Sequence, residues 1–412
     1  MTVPTINAVI NFSSGPSFGP AMVLGEGLLG TNVLADENTL IVDVSNQVDG
    51  VTTIRGRNAQ ADVFQTGTLT LRIVDQSGDF NPQNPAGPYF GLLTPLRKVQ
   101  ISATYEGTIY PMFSGFITSY VTTTPLMATD VVYTTITAVD AFRLFENSQI
   151  STVTLAEPGD LPGERINAIL DEILFPPSQR EIQFGDIPFQ ADPGTFRTAL
   201  AAMQTATISE YGALYMDARG NITLKDRNFS VASQALPPRV FNDDGTDINY
   251  NNAIWRLDDT QVYNQASISK IGGTAQVALD EASIEEYFTH SYNQQDLVME
   301  TDQAALDYAR AYVASRKDTQ TRCDLLELNL YSVDYNDGIL AALELDFFDP
   351  VRITTNQPGG STLIQTLQVF GVQHQVTPNS WKTTFTTLEP IIDGFILDSS
   401  LYGVLDTSVL SY

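Results

Sequence analysis

The sequence predicts a mainly β protein interrupted by a small α+β insertion. Three observations predict it. Alternating apolar and polar residues, rich in Thr, Val, Ile and aromatics, fill residues 1–150 and return from about residue 240. Between them the apolar period changes to that of helices. Charged residues are only 17% of the 412, below the usual quarter, so Thr, Ser, Asn and Gln carry the polar surface.

In the first region, residues 68–74 (TLTLRIV), 99–105 (VQISATY), 111–120 (PMFSGFITSY) and 131–139 read as strands separated by glycine turns. That spacing suggests a barrel or a sandwich. Residues 77–101 (SGDFNPQNPAGPYFGLLTPLRKVQI) contain a long loop before the second strand. Loops of this length inside a β domain are functional or serve assembly. Its aromatics Phe80, Tyr89 and Phe90 read as exposed. Two roles stay open for them: covering their own barrel, or docking on a neighbouring subunit.

The insertion reads as helix, helix, hairpin. Residues 161–174 place Ile166, Ile169, Leu170, Ile173 and Leu174 at helical spacing, and Pro176-Pro177 ends the run. Residues 195–211 start at the cap candidate Thr195 and put Phe196, Leu200 and Met203 on one face. Residues 213–226 alternate on either side of the turn Asp217-Ala218-Arg219-Gly220.

Beyond 240 the period returns to two, as in residues 262–271. A helix over 301–317 follows, with Thr301 as cap, Ala305, Tyr308, Ala309, Tyr312 and Val313 on one face, and the basic pair Arg316-Lys317 at its C-terminal end. Strands are predicted over 325–330, 351–355, 362–372 and 382–388. Residues 391–412 hold a two-copy repeat, Leu397-Asp-Ser-Ser-Leu401 and Leu405-Asp-Thr-Ser-Val409. So apolar an end is a liability free in water. It packs on its own domain, or it is an arm that docks through Phe395, Leu397, Leu401 and Leu405.

Lys and Arg number 21 against 48 Asp and Glu, a net charge of −27. That field argues against binding a phosphate backbone. It serves solubility, or it keeps passing DNA from adhering. A single cysteine, Cys323, forms no internal disulfide, and folding in a reducing cytoplasm is the simplest inference. The first residues carry no basic stretch followed by an apolar run, so no secretion signal is expected. No run approaches the ~18 apolar residues that span a bilayer.

The search for chemistry predicts no catalytic, cofactor-binding or metal-binding residue. The two histidines, His290 and His374, lie far apart without cysteine or acid at ligand spacing, and His374 reads as structural. No nucleophile elbow, phosphate loop or dinucleotide fingerprint is present. The acidic turns at 75–81 and 242–247 resemble calcium loops but lack the distal glutamate, and Asx turns are the default.

Several stretches together resemble the minor tail proteins of long-tailed phages. They are Ile54-Arg-Gly-Arg57, Phe64-Gln-Thr-Gly67-Thr-Leu-Thr-Leu71, Asp79-Phe-Asn-Pro82, Pro88-Tyr-Phe-Gly91-Leu-Leu-Thr-Pro-Leu-Arg97 and Gly107-Thr-Ile-Tyr-Pro-Met-Phe-Ser-Gly115-Phe. The helix pair followed by GALYMDARGNITLKDR is similar to baseplate or tail-tip hub proteins. So are DEASIEEYF at 280–288, LELDFFDPVRI and the closing VFGVQHQVTPNSWKTTFTTLEP. The 391–412 arm is not part of that pattern.

The resemblance implies a structural, non-enzymatic hub with two tail-tube-like β-barrel domains, 1–150 and 241–390. Between them lies the α+β unit 151–240, and 391–412 forms the arm. Three chains would then present six barrels around a DNA exit channel, adapting a sixfold tail to a threefold tip. The implied partners are two further copies, the distal tail ring or tube, the tape measure and a central spike or fibre. DNA would be met only in passage, with no stable membrane insertion and no cofactor. The implied location is the virion tail tip, after synthesis in the host bacterial cytoplasm. A sixfold distal-tail ring protein and a glycan-binding or glycan-hydrolysing tail module remain the alternatives.

Overall fold

The computed structural model describes residues 3–12, 40–57, 63–123, 131–319, 321–331 and 336–390. The first region holds β1 (Thr5–Asn11), β2 (Ile41–Asp43), β3 (Val48–Gly56), β4 (Gln65–Val74), β5 (Lys98–Tyr105), β6 (Thr108–Thr123) and β7 (Tyr133–Val139). Their alternation sorts the side chains. In β4, Leu69, Leu71 and Ile73 are buried while Thr68, Thr70 and Arg72 are exposed.

The insertion runs α1 (Phe142–Asn147), β8 (Gln149–Ile150), α2 (Pro162–Glu172), β9 (Arg180–Ile182), β10 (Arg197–Thr198), α3 (Ala199–Glu210), β11 (Ala213–Met216), β12 (Ile222–Lys225) and α4 (Arg227–Gln234). The hairpin β11–β12 forms as expected, and β9 joins it in parallel. Ile166, Ile169, Leu170, Met203, Leu214 and Ile222 share one core. Two boundaries differ from expectation. The cap of α3 is Thr198, whose Oγ1 accepts from the Ala201 amide at 3.1 Å, so Phe196 precedes the helix and is exposed. Leu174 lies past α2 in a left-handed turn (φ 59°) and is exposed as well. In each case a short run of apolar spacing continued beyond the point where the backbone stops being helical.

The last region holds β13 (Arg239–Asn242), β14 (Ile248–Asn249), β15 (Asn252–Arg256), β16 (Gln265–Lys270), β17 (Gln276–Leu279), α5 (Glu281–Tyr287), β18 (Ser291–Leu297), α6 (Asp302–Arg316), β19 (Arg322–Asn329), α7 (Asn336–Glu344), β20 (Pro350–Asn356), β21 (Thr362–Thr377) and β22 (Ser380–Leu388). Helix α6 buries Ala305, Tyr308, Ala309, Tyr312 and Val313 and is capped by the Thr301 hydroxyl, as its sequence predicts. Tyr312 stacks on Tyr292 at 3.8 Å. The small sheet β17-β16-β18 lies against α6.

Fourteen strands form one sheet along β14-β13-β20-β21-β3-β4-β7-β6-β5-β1-β2, with β22, β19 and β15 branching from β21. Among the described residues neither of the two expected tube-like β-barrel domains closes into a barrel within the single chain. The sheet is open, and β21 pairs with β3 to make it continuous between the first and last regions.

Two halves of that sheet share one arrangement. In the first, β5-β6-β7 is an antiparallel meander, β7 pairs with β4, β4 with β3, and β1 flanks β5. In the second, β20-β21-β22 is the same meander, β22 pairs with β19, β19 with β15, and β13 flanks β20. The registers also correspond: Lys98 faces Phe116 as Pro350 faces Gln368. Both meanders shift register just beyond, between Ile117 and Ser119 and between Val369 and Gly371. One contact differs, since β1 is antiparallel to β5 while β13 is parallel to β20.

Candidate assembly surface

The loop from 75 to 97 is folded tightly on itself. The buried carboxylate of Asp75 accepts the amides of Asp79 (2.7 Å) and Phe80 (3.1 Å) and the hydroxyl of Thr134 (2.8 Å). A chain of turns follows, in which the amides of Gly78, Asn81, Asn84, Gly87 and Phe90 each bond to the carbonyl three residues back. Asn84 ties the loop back to the Gly78 carbonyl at 2.9 Å. The result turns the aromatics in different directions. Phe80, read from sequence as exposed, is 1% exposed. Tyr89 is half-buried, stacked on Phe12 at 5.2 Å and 5.0 Å from Phe80. Phe90 points outward at 52% exposure.

Where each meander begins, one residue in left-handed backbone bonds to the long strand. Leu96 (φ 65°) donates its amide to the Ile117 carbonyl at 2.7 Å, and Ile117 donates to Arg97. Phe348 (φ 70°) donates to the Val369 carbonyl at 2.7 Å, and Val369 donates to Asp349. Beyond that point β21 receives β3, Gly371 facing Gly56 through Val376 facing Val51. Residues 119–123 of β6 have no strand on the corresponding edge among the described residues, and neither has the outer edge of β15.

The solvent face of the central strands is neutral. Thr68, Thr70 and Thr123 are exposed, and Thr118 and Ser119 bond to Thr137 at 2.9 and 2.7 Å. Of the acids on this face, Asp49 pairs with Arg72 (3.1 Å) and Glu327 with Lys382 (3.2 Å).

The buried ionisable groups serve the fold. Asp140 follows β7 and accepts the amides of Gly67 and Phe142; burial raises its carboxyl to about 7. Glu389 follows β22 in the matching place, raised by burial and drawn back by Arg322. The ring of His374 lies 3.0 Å from the Thr383 hydroxyl, and burial lowers its pKa to about 3, so it is neutral. Burial pushes the Cys323 thiol up to about 12, which leaves it unreactive. In the second acidic turn Asp244 accepts the amide and hydroxyl of Thr246, an Asx turn. Among the described residues no cluster of three His, Cys, Asp or Glu is placed to hold a metal. A shallow cleft of about 40 Å³ beside Arg322 and Glu389 has room for a few water molecules. No described helix is long and apolar enough to cross a membrane.

Of the predicted docking residues, Phe395, Leu397, Leu401 and Leu405 lie outside the described residues. Sequence reasoning missed the open edges of β6 and β15, since alternation identifies a strand but not which of its edges is paired.

No protein-family model matches the sequence, and the comparison with curated proteins gives no match. Among solved structures, a tail protein from Neisseria meningitidis is similar with a TM-score of 0.56 at 10% identity, over 94% of this chain and 97% of that one. The 43 kDa tail protein of prophage MuSo2 from Shewanella oneidensis is similar with a TM-score of 0.52 at 12% identity, over 87% and 98%. At these identities the likeness is one of fold, and it runs nearly the full length of each chain.

Proposed function

We propose that this chain is a structural hub protein of a phage tail tip or baseplate, three copies of which form a ring around the channel through which DNA leaves. The observation that carries this reading is the repeated meander. Each chain contributes two sheet units of matching strand order and register, so three chains supply six similar units. A ring of that kind meets a sixfold tube on one side and a threefold tip on the other. The full-length likeness of fold to two tail proteins supports the same setting.

On this reading the units 1–150 and 241–390 are the two tube-like domains, each completed as part of a wall only in the ring. The insertion 151–240 is carried outside that wall. The neutral, hydroxyl-rich sheet face is the surface offered to DNA. Its acids are already paired with cations, so low adhesion there comes from threonine and glutamine rather than from the negative charge that composition suggested. Neighbouring tail proteins dock on the exposed loops, among them the one that displays Phe90. On this reading the protein acts by geometry rather than by catalysis.

Electron cryomicroscopy of intact particles, with symmetry tested at the tail tip, checks the proposal. Three copies around the channel are expected. Six copies would make the chain a distal ring protein. Copies off the channel axis would reject a channel role and favour a receptor-binding or glycan-binding module.

A further inference from the structure

The chain contains one finished junction between its two sheet units and both halves of a second. The finished junction is β3 on the far half of β21. The near half of that same edge is occupied by β20, and Phe348 and Asp349 mark the change from one partner to the next. β6 is organised in the same way as far as the structure goes. β5 occupies its near half up to Phe116, Leu96 and Arg97 hold Ile117, and residues 119–123 continue without a strand on that edge among the described residues. The counterpart of β3 in the second unit is β15: β3 lies outside β4, and β15 lies outside β19. Its other edge is unoccupied among the described residues.

The two open edges are not paired with each other within the chain among the described residues. Edge strands left open invite pairing with another chain. We propose that β15 of one copy adds antiparallel to residues 119–123 of β6 in the next copy, repeating between chains the junction that β3 and β21 make within one. This rests on the ring reading above and names the contact that closes it.

The register follows from the rows of residues that cross the sheet. In the first unit one row runs Ser119, Thr137, Thr70, Thr52 and crosses the finished junction to Gln375. In the second the matching row runs Gly371, Thr386, Leu325, Ile254 and stops. Gln375 stands as far beyond Gly371 as Thr123 stands beyond Ser119. Ile254 of one copy therefore faces Thr123 of the next. The side chains there suit an unfinished sheet: Ile254 is 41% exposed and Val121 53%. Pairing gives each a cross-strand neighbour, and the ring then has no free edge at either kind of junction. Strand addition of this sort draws its affinity from main-chain hydrogen bonds.

Cysteine cross-linking tests it. Thr123→Cys and Ile254→Cys are combined in the full chain, whose native Cys323 is buried and unreactive, and the purified protein is treated with a mild oxidant. Directly facing strand residues bring their Cβ atoms within reach of a disulfide. Covalent dimers and trimers, absent from either single variant and from Thr123→Cys with Asn252→Cys, are the expected result. Light scattering on the same samples separates this inference from the ring reading. Three copies without cross-links would overturn the junction and leave the ring standing. A chain that stays monomeric at all concentrations would overturn the ring. Cross-links that close at six copies would support the junction and reject a threefold ring. Hydrogen exchange on the unmodified protein gives an independent reading: amides in 119–123 become protected on assembly, and unchanged exchange there overturns the proposal.

Discussion

Leu96 and Phe348 occupy the same place in two successive meanders. Each is a non-glycine residue in left-handed backbone, and each donates its amide at 2.7 Å to the carbonyl where the long strand changes neighbours. A bulky residue held in that conformation costs roughly 1–2 kcal/mol, so the bond recurs because the topology requires it. The two side chains differ in what they repay. Leu96 is partly buried, whereas Phe348 packs against Phe64, Phe229 and Phe370. Leu96→Gly is expected to leave stability within about 1 kcal/mol of the parent, relief of strain offsetting lost contact. Phe348→Gly is expected to cost more than about 3 kcal/mol. Urea unfolding of the two variants checks the order, and a larger loss at position 96 would contradict it.

The junction inside the chain depends on the absence of a side chain at Gly56. Its φ is 111°, and a Cβ there would stand 2.2 Å from the Phe370 carbonyl oxygen and 2.6 Å from the Gly371 Cα. Gly56→Ala thus forces β3 and β21 apart in addition to straining the backbone, and a loss of about 2–4 kcal/mol is expected. Gly107 is a useful contrast, with a similar φ of 82° but nothing within 4 Å of an added Cβ. Gly107→Ala should cost only about 1 kcal/mol. Equal losses in the two variants, measured by thermal or urea unfolding, would show that the close approach at Gly56 relaxes easily.

Much of this organisation was legible in the sequence, and what was missed has physical causes. Strands such as 99–105 and 382–388 declare themselves because one face is buried and the other is not. Helix α6 was read down to its cap and its five buried residues, since fifteen residues give the helical period room to show. The shorter helices α1, α4 and α7 do not. Phe80 was misread because aromatics in a Pro- and Gly-rich stretch look like surface features. The signal that could have corrected it is Asp75, whose carboxylate holds the amides of Asp79 and Phe80 and folds the loop inward. The pairing of β21 with β3 joins strands more than three hundred residues apart, and alternation carries no information about such neighbours.

Asp140 gives the fold a pH dependence of defined sign. Burial raises its carboxyl from 3.8 to about 7, against the pull of the Gly67 and Phe142 amides and of Arg55. Between those values the folded chain holds a proton that the unfolded chain has released. The stability so contributed is complete below about pH 4 and is lost as pH rises towards 7. Asp349, raised by burial to about 6, acts in the same direction. Asp140→Asn removes one such proton, so the difference in unfolding free energy between parent and variant should change across pH 4.5–6.5 by at most about 1.4 kcal/mol per pH unit. Parallel pH profiles for the two proteins would mean that the carboxyl is ionised throughout.

The loop aromatics separate stability from assembly. Phe80 is enclosed by its own chain and touches Phe12 and Tyr89. Phe80→Ala is expected to cost about 3–5 kcal/mol in the isolated chain, and any loss of tails would follow from misfolding. Phe90 is exposed and has no ring partner among the described residues. Phe90→Ala should therefore leave unfolding of the isolated chain within about 0.5 kcal/mol of the parent. If the loop docks on a neighbouring tail protein, its aromatic is where the binding energy concentrates. The Phe90 variant should then fold normally and lower the yield of complete tails, counted by negative-stain microscopy after complementation. A normal yield from a normally folded Phe90→Ala chain would remove this residue from the docking surface and confine the role of the loop to closing its own sheet.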